Sequence, residues 1–412
     1  MKYSIVTFGC RVNQADSLRV EEDLRALGGV EAPSRDADLV VVNTCSVTAT
    51  ADQGARQTIR RIARENPHAK IVATGCYATR CAGEVAALPG VVRVIRNDDK
   101  LGLVRMLGGG GDGPCGAPIE PGVAGRTAFT IRAQTGCEER CAYCIIPSTR
   151  GASRSRPVAD LVGEIARVAD AGFKEVTLTG VHLGSYGRDL TPSSSLLFLL
   201  RALDAMAGDV TFRVSSLEPM DCTPEIVALV AGSGRFLPHF HLPLQHASDR
   251  MLASMRRPYT LDEYRRLVDG IVSGLPHASI GSDMIVGFPG ETDDDFAANL
   301  AYLPSSPLTH LHVFPYSDRP GTEASAMRDK VHGSVIRDRG AALRAMGAQL
   351  AARFRDANVG TRRPALSLED GTLVVTDNYL KARIPPGRGR NERLTVLLTK
   401  SGEQLYGTPL ES

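Results

Sequence analysis

Short, uninterrupted runs of Val, Ile and Leu recur along the first hundred residues, and each run precedes a segment with helical spacing. The runs cover residues 4–8, 39–43, 70–74 and 91–95. Strands that are apolar on both faces are typical of parallel sheets covered by helices on each side. The pattern therefore predicts an α/β domain with a doubly wound parallel sheet, which we place at residues 1–107.

The rest of the chain divides into three further segments. Residues 108–126 are rich in Gly and Pro without periodicity, which predicts a linker. Strands and helices then alternate through residues 127–358, and six such units predict a partial (β/α) barrel whose active site belongs at the carboxyl ends of its strands. Residues 359–412 contain four short strands separated by turns and predict a small all-β module.

Composition and charge exclude some classes of protein. The 412 residues include 48 basic and 46 acidic side chains, so overall charge does not indicate a nucleic-acid binder. No apolar run could span a bilayer and no signal peptide is visible, so we expect a cytoplasmic protein with no membrane partner. In that reducing compartment, the nine cysteines are expected to serve as metal ligands or catalytic groups rather than to form disulfides.

Cys137, Cys141 and Cys144 form the most informative segment, because three thiols lie within eight residues just after a predicted strand. Such a group can surround one soft metal centre. Structural zinc takes four ligands, and no fourth Cys or His follows closely. Three thiolates suit a four-iron cluster with one iron left open. From spacing alone, a zinc site completed from afar and buried thiols without a ligand role remain the alternatives.

The spacing C-x3-C-x2-C, with Tyr143 before the last Cys, resembles the radical S-adenosylmethionine (SAM) superfamily. The resemblance implies that the triad holds a four-iron, four-sulfur (4Fe–4S) cluster and that SAM binds its open iron. An electron from the cluster then releases a 5′-deoxyadenosyl radical, so no side chain is assigned a catalytic role. The candidate SAM-binding residues are Tyr143, Gly180, Ser215, Glu218, Gln245 and Gly287.

Most of these SAM candidates lie at predicted strand ends, where a simple strand-to-loop turn is the alternative for each one. Three histidines in the same part of the chain could suggest a metal site. We interpret them instead as side chains of the core or its polar rim. They are His239, His241 and His246.

A second triad is less obvious, because Cys10, Cys45 and Cys76 are far apart in sequence. Each follows the end of a predicted parallel strand by two or three residues. Loops at the carboxyl ends of such strands share one edge of the sheet, so we expect the three thiols to converge. Independent buried or reactive thiols are the alternative. The other cysteines show no such pattern and are interpreted as non-ligands: Cys81, Cys115 and Cys222.

Two cysteine triads on successive domains, the first opening with Gly9-Cys10-Arg11-Val12-Asn13-Gln14, resemble the methylthiotransferase family over essentially the whole chain. The resemblance implies a second 4Fe–4S cluster on Cys10, Cys45 and Cys76 that carries or supplies sulfur, and a C-terminal TRAM module. The family inserts a methylthio group at an unreactive C–H bond. One SAM supplies the methyl group and another supplies the radical.

The residues after Cys10 most resemble the branch that modifies C2 of N6-threonylcarbamoyladenosine at position 37 of tRNA, next to the anticodon. The resemblance implies tRNA, an electron-donor protein and a sulfur source as partners. His182 and Ala15 depart from the pattern of this branch. The alternatives are the branches acting on isopentenyladenosine in tRNA or on a ribosomal-protein aspartate. A non-catalytic iron–sulfur redox sensor that binds RNA is an alternative of another class.

Basic side chains cluster in the TRAM-like tail and beside the central triad. In the tail they predict contacts to an RNA backbone, with a solvated charged face as the alternative. The candidate RNA-binding residues are Lys381, Arg383, Arg388, Arg390 and Arg393. Four arginines flank the central triad and could contact phosphate, the threonylcarbamoyl carboxylate or SAM. They are Arg140, Arg150, Arg154 and Arg156.

Overall fold

The computed structural model of the chain describes residues 1–108, 119–122 and 126–410, so most of the expected linker and Cys115 lie outside the described residues. The N-terminal part is a five-stranded sheet in which all paired neighbours run parallel. Its strands are β1 Lys2–Thr7, β2 Val30–Glu31, β3 Leu39–Thr44, β4 Lys70–Gly75 and β5 Val91–Ile95, in the order β2-β1-β3-β4-β5. Its helices are α1 Arg11–Ala26, α2 Ala49–Glu65, α3 Cys76–Arg80, α4 Ala82–Ala86 and α5 Leu103–Met106.

The central strand β3 shows why the sequence is continuously apolar here. All six of its residues are buried. Val40 and Val42 belong to the same core as Ile59 of α2, whereas Val41 belongs to the core that contains Leu24 of α1. A strand with helices on both faces must be apolar on both faces. The doubly wound α/β class expected from the sequence is confirmed.

The described residues of the middle part form eight strands, and six of these make two parallel sheets of three. In chain order the strands are β6 Phe129–Arg132, β7 Gln134–Thr135, β8 Arg154–Ser155, β9 Glu175–Thr179, β10 Thr211–Val214, β11 His239–His241, β12 Ser279–Val286 and β13 His310–Pro315. The short strands β7 and β8 form a separate antiparallel pair. The sheets have the orders β10-β9-β6 and β11-β12-β13. Phe212 links them, since its N–H donates to Arg235 O at 2.8 Å and its carbonyl accepts from Leu237 N at 2.9 Å. The expected partial barrel is confirmed.

Helices connect these strands and cover the outside of the barrel. They are α6 Ile146–Arg150, α7 Val158–Asp170, α8 Leu196–Asp204, α9 Pro224–Gly232, α10 Asp249–Ser254, α11 Leu261–Gly274, α12 Asp293–Tyr302, α13 Glu323–Ala326 and α14 Gly333–Asn358. Local sequence explains where they begin: Thr260 and Glu263, for example, form a reciprocal capping box at the start of α11. No helix within the described residues combines the length and apolar character needed to cross a membrane.

The C-terminal part is a closed five-stranded barrel. Its strands are β14 Arg362–Leu368, β15 Leu373–Thr376, β16 Lys381–Arg383, β17 Arg393–Ser401 and β18 Gln404–Leu410. The sequence predicts four of these strands and misses β18, because Gly407 and Pro409 interrupt its strand signal. Pairing with β17 determines the position of this strand, and a Cβ on Gly407 would lie only 3.0 Å from the Val396 side chain. The expected TRAM-like barrel is otherwise confirmed.

A buried carboxylate joins the N-terminal sheet to the partial barrel. Asp16 of α1 is 2 % exposed and pairs with Lys100 at 2.9 Å, with Arg150 at 3.4 Å and with Arg132. Burial alone would raise the pKa of Asp16, but the three cations outweigh it and hold that pKa below its ordinary value. The ionised carboxylate therefore stabilises the fold above about pH 4, and this contribution is lost as the pH falls toward the lowered pKa.

Two further buried arginines hold the parts of the chain together. Arg319, which follows β13, donates to the carbonyl oxygen of Ser46 at 2.6 Å and pairs with Asp52 of α2 at 2.8 Å. Arg213 of β10 pairs with Glu175 at 2.8 Å and donates to backbone carbonyls in the C-terminal barrel. The contacts of Arg319, and those of Arg213 with the C-terminal barrel, join residues more than 150 positions apart. The packing of the three parts therefore depends on specific buried charges.

Replacing Asp16 with Asn should destabilise the protein by about 3–5 kcal/mol, because the buried cations would lose their counter-charge. The shift in urea midpoint of the anaerobically purified protein measures this effect. Asp36→Asn is the matched control, since Asp36 pairs with Arg35 at the surface and its loss should change stability by less than about 1 kcal/mol. Equal shifts for the two variants would contradict a special role for the buried network.

Candidate functional site

The central cysteine triad lies in the loop between β7 and α6. The loop enters at Gly136, whose φ is 77° and where an added Cβ would lie 1.8 Å from the carbonyl oxygen of Ala152. Only glycine fits such a position. The loop is then fixed by hydrogen bonds from Cys137 N to Gly151 O and from Cys144 N to Cys141 O, both 3.0 Å. The three thiols are free. Burial raises the pKa of Cys144 to about 12, and the nearby Cys141 and Cys137 add to this shift.

Arg257 contacts this triad, although no sequence pattern indicates it. Its Nη1 lies 3.0 Å from Cys141 Sγ, and its Nη2 forms an ion pair with Glu218. Its Nε donates to the Tyr259 hydroxyl at 3.0 Å. Glu218, one of the candidate SAM residues, is therefore held beside the triad by a buried guanidinium. The contact is not visible in sequence, because Arg257 follows Cys141 by 116 residues.

His182 is a second neighbour of the triad. Its Nδ1 lies 3.8 Å from Cys137 Sγ and its Nε2 lies 2.7 Å from the Asp221 carboxylate. Burial lowers the pKa of His182, but the hydrogen bonds to Asp221 and Cys137 outweigh burial and raise that pKa to about 10. The departure from the branch pattern at this position thus places a cationic donor beside one of the thiols.

The other candidate SAM residues lie near the same rim of the barrel. Ser215 follows β10 and donates to Thr179 Oγ1 at 3.2 Å. Gln245 follows β11 and has a φ of 71°, an uncommon conformation for a residue other than glycine. Gly287 follows β12 with a φ of 77°. Active sites of such barrels form at this end of the strands. The arrangement is compatible with a ligand bridging the strand ends, and the individual contacts stay predictions.

Tyr143 and Gly180 complete the candidate set. The Tyr143 ring packs edge-on against Phe288, with 6.5 Å between ring centroids. Gly180 directly follows β9, and an added Cβ there would lie 2.8 Å from Leu183 and 3.0 Å from the side-chain oxygen of Gln134. Tight packing of the chain itself therefore explains the glycine, whether or not a ligand approaches it.

The N-terminal triad lies at the carboxyl edge of the parallel sheet. Cys10 precedes α1, Cys45 follows β3 and Cys76 is the first residue of α3 after β4. Gly9 has a φ of 89°, and an added Cβ would lie 2.4 Å from Cys45 Sγ, so the first loop passes directly over that sulfur. Burial raises the pKa of Cys45 to about 11, and the charges of Cys10 and Cys76 add to this shift. The structure brings the three thiols to one edge.

Arg150 links the two triads. It ends α6, six residues after Cys144, and its Nη2 donates to Asn13 Oδ1 at 2.6 Å. Burial lowers the pKa of Arg150, but the charges of Cys76, Asp16 and Cys10 outweigh it and raise that pKa. The guanidinium is only 2 % exposed, so it holds the domain interface together. Two other flanking arginines also pair with acids of the chain: Arg154 with Asp98 and Arg156 with Glu164.

Histidines from β11 and β13 line the inside of the barrel. His246 is fully buried and contacts Asn299 at 3.0 Å, as expected for a core residue. His241, by contrast, joins Asp283 and His312 in a group whose ligand atoms all lie within 4.8 Å of one another. His239 stacks on Tyr379 of the C-terminal barrel at 4.4 Å. The sequence interpretation missed the His–Asp–His group, because its members come from three different strands.

The five basic candidates of the C-terminal barrel are all exposed, but they differ in their contacts. Lys381 and Arg383 form no ion pair within the part of the chain that the structure describes. Arg388 pairs loosely with Glu392 at 3.8 Å. Arg390 donates to the carbonyl oxygen of Glu369 at 2.7 Å, and Arg393 pairs with Asp209 of the partial barrel at 2.7 Å. Arg393 thus contributes to docking of the module.

Comparison with known proteins gives this arrangement a family. Residues 2–96 match the family described as Uncharacterized protein family UPF0004, and residues 131–303 match the Radical SAM superfamily. The chain is 35% identical over 399 residues to Threonylcarbamoyladenosine tRNA methylthiotransferase MtaB of Aquifex aeolicus, covering 92% of this chain and 96% of that protein. The chain belongs to the radical SAM methylthiotransferase family.

Two further comparisons show how far the similarity extends in sequence and in fold. The tRNA-2-methylthio-N(6)-dimethylallyladenosine synthase of Acidothermus cellulolyticus is 33% identical, covering 94% of this chain and 81% of that protein. Among solved structures, the radical SAM methyltransferase TsrM of Kitasatospora setae matches with a TM-score of 0.56 at 16% identity, covering 90% of this chain and 81% of that chain. The structural likeness supports the fold. The sequence likeness extends to relatives named for two different tRNA nucleosides.

Replacing Arg257 with Met should weaken the rim of the barrel, because Glu218 and Cys141 would lose a charged hydrogen-bond donor. We expect a destabilisation of about 1–3 kcal/mol, measured by chemical denaturation, and faster loss of iron from the purified protein. Arg266→Met is the control, since Arg266 forms only an exposed pair with Asp262. Unchanged stability and iron retention in Arg257→Met would show that the contact is dispensable.

Proposed function

We propose that this methylthiotransferase adds a methylthio group to C2 of N6-threonylcarbamoyladenosine at position 37 of tRNA. The observation that carries the proposal is the presence of two separate sets of three free thiols, joined through Arg150. Relatives named for this nucleoside align over nine-tenths of the chain. The Cys10-Arg11-Val12-Asn13 segment supports the same branch.

The residues present fit two 4Fe–4S clusters and SAM. Cys137, Cys141 and Cys144 would hold one cluster, and Cys10, Cys45 and Cys76 would hold the other. Three thiolates per site leave one iron of each cluster open to an external ligand. When bound, the first cluster supplies the electron that cleaves SAM, and the second carries the sulfur.

In this scheme the chain's own residues hold the clusters, orient SAM and shield the reacting groups from water. Gly9 and Gly136 let the loops close tightly around the thiols. Arg257 and His182 place positive charge beside thiolates of the central triad, which favours the deprotonated ligand. Glu218, Gln245 and Ser215 would contact SAM, with Tyr143, Gly180 and Gly287 around it. The partial barrel excludes water from the reacting groups.

Partners and organisation complete the proposal. An electron-donor protein and a sulfur source would serve the two clusters, and the enzyme would act in the cytoplasm. We propose functional units at residues 1–107, 127–358 and 359–412 with a linker at 108–126. The last unit would bind tRNA through its exposed cations.

The isopentenyladenosine branch is the second candidate, since a dimethylallyladenosine synthase is 33% identical over 94% of the chain. Mass spectrometry of tRNA nucleosides from a strain lacking the protein separates the two. We expect loss of the methylthio derivative of N6-threonylcarbamoyladenosine and its return on complementation. Loss of the isopentenyl derivative instead would overturn the substrate assignment. A non-catalytic sensor would form no 5′-deoxyadenosine from SAM under reducing conditions.

The two triads should divide the reaction between them. Changing Cys10, Cys45 and Cys76 together to Ala should halve the iron content and abolish sulfur insertion, while SAM cleavage continues, because the barrel keeps its own thiolates. The matched variant, with Cys137, Cys141 and Cys144 changed to Ala, should also halve the iron but abolish SAM cleavage. Iron analysis and chromatography of 5′-deoxyadenosine test both. Normal methylthiolation by the first variant would be falsifying.

Exposed cations of the C-terminal barrel should bind the tRNA backbone. Changing Lys381, Arg383 and Arg388 together to Gln should reduce the slope of log K against log salt by up to about 2, at about 0.7 per phosphate contact in single-stranded RNA. Filter binding over a salt series measures the slope. Arg355→Gln is the control, since Arg355 already pairs with Glu403. An unchanged slope in the triple variant would rule out this surface.

A further inference from the structure

Arg11 differs in its partners from the buried arginines of the chain. It is the first residue of α1, directly after Cys10, and it is only partly exposed. Its Nη2 donates to the Tyr379 hydroxyl at 2.8 Å, and its Nη1 lies 3.5 Å from Thr177 Oγ1. It forms no ion pair with any Asp or Glu in the ranges that the structure describes, 1–108, 119–122 and 126–410.

The buried arginines of the described chain all have a carboxylate partner. Arg150 pairs with Asp16, Arg213 with Glu175, Arg257 with Glu218 and Arg319 with Asp52. Taking a guanidinium out of water without a counter-charge is costly. Arg11 can therefore bind an added anion, whereas the charges of these other arginines are already neutralised by carboxylates.

Contacts of Arg11 come from all three parts of the chain. Arg11 belongs to the N-terminal sheet domain, Thr177 to strand β9 of the partial barrel, and Tyr379 to the C-terminal barrel. The Tyr379 ring lies 5.8 Å below the Arg11 guanidinium and 4.9 Å from that of Arg213. Such stacking fixes the plane of a guanidinium. The contacts with Tyr379 and Thr177 use two of its five N–H groups, so donors remain for two parallel hydrogen bonds.

Positive and titratable groups surround Arg11 inside the barrel. His239 packs against the Tyr379 ring, whose hydroxyl accepts from Arg11, so the imidazole and the guanidinium lie on the same aromatic side chain. Burial lowers the pKa of His239, and the charges of Arg213 and Arg11 lower it further. The acids here are already engaged: Glu175 pairs with Arg213, and Asp283 lies between two histidines. The interior beside Arg11 is therefore suited to an added anionic group, because the acids described here are already paired.

We propose that Arg11 binds the carboxylate of the threonyl group of N6-threonylcarbamoyladenosine and so selects this nucleoside over those with uncharged N6 substituents. The inference rests on the proposed function. A planar guanidinium binds a carboxylate through two parallel hydrogen bonds. Because Arg11 adjoins Cys10, a carboxylate held there brings the nucleoside close to the cluster proposed to carry sulfur. Tyr379 is a positioning residue, since it acts by orienting Arg11.

An RNA phosphate resembles a carboxylate as a hydrogen-bond acceptor and is the other anion that Arg11 would bind. The carboxylate is favoured by position. Arg11 lies against a β9 side chain in the barrel interior, whereas Lys381, Arg383 and Arg388 are exposed on the outer barrel where a backbone could pass. The isopentenyl group of the rival substrate carries no charge, so it would form no ion pair with an arginine at this position.

The test is a set of binding measurements with the holoenzyme under anaerobic conditions. Three anticodon stem-loop RNAs of one sequence carry adenosine, N6-threonylcarbamoyladenosine or its methyl ester at position 37. The wild-type protein should bind the carboxylate form about ten- to a hundredfold more tightly than the other two, as expected for a charge-assisted contact. Arg11→Gln should remove this preference, and Arg11→Lys should retain part of it.

Two further variants make the result specific. Tyr379→Phe removes only the hydroxyl that orients Arg11 and should reduce the preference by a few fold. Arg383→Gln should weaken binding of all three RNAs equally, as a phosphate contact does. Iron content checks that each variant retains both clusters, and Arg11→Lys and Tyr379→Phe keep the test available if Arg11→Gln does not assemble.

The outcomes separate the inference from the function on which it rests. Equal weakening of all three RNAs by Arg11→Gln would overturn the carboxylate role and assign Arg11 to phosphate. Equal wild-type affinity for the acid and its ester would overturn it as well. In a parallel turnover assay, failure of the wild-type holoenzyme to methylthiolate the carboxylate-bearing RNA, with full activity on isopentenyladenosine RNA, would overturn the proposed function itself.

Discussion

The carboxylate of Asp16 determines how the N-terminal sheet domain packs against the partial barrel. It lies at the centre of a buried group of cations that come from both sides of the domain interface: Lys100 from the N-terminal domain, Arg132 from β6 and Arg150 from α6. An unpaired charge in such a place costs several kcal/mol, so the two domains can pack in this way only when all partners are present. Because Arg150 also contacts Asn13 and interacts with Cys76, the network sets the position of one thiol triad relative to the other.

Both thiol triads obey the same geometric rule. In a parallel sheet the carboxyl ends of neighbouring strands open at one edge, and loops from that edge converge. Cys10, Cys45 and Cys76 follow three adjacent strands of one sheet, while the central triad lies in a single loop that follows β6 and β7 of the partial barrel. The N-terminal site is therefore assembled by topology and the central one by local spacing. That difference explains why only the central motif is evident on inspection of the sequence.

The C-terminal barrel packs against the partial barrel through specific charged contacts. Arg213 donates to its backbone from inside the partial barrel, and Arg393 returns an ion pair from the module to Asp209. The same module brings Tyr379 against His239 and Arg11. A side chain of the proposed RNA-binding unit thereby lines the interior that faces the N-terminal thiols. In the proposed function, this one set of contacts would couple recognition of the RNA to recognition of its base.

The sequence alone determined the class of the fold, the position of the central triad and the pairing of strand ends that brings the N-terminal cysteines together. These features depend on local spacing or on the period of apolar residues, which short segments specify by themselves. Only the tertiary structure placed Arg257 against Cys141, His182 against Cys137 and the fifth strand β18 against β17. Such contacts join residues from about 45 to more than 100 positions apart, or strands with weak propensity of their own, and depend on which surfaces the packed core brings together. The sequence names the thiols, and the folded chain supplies the charges around them.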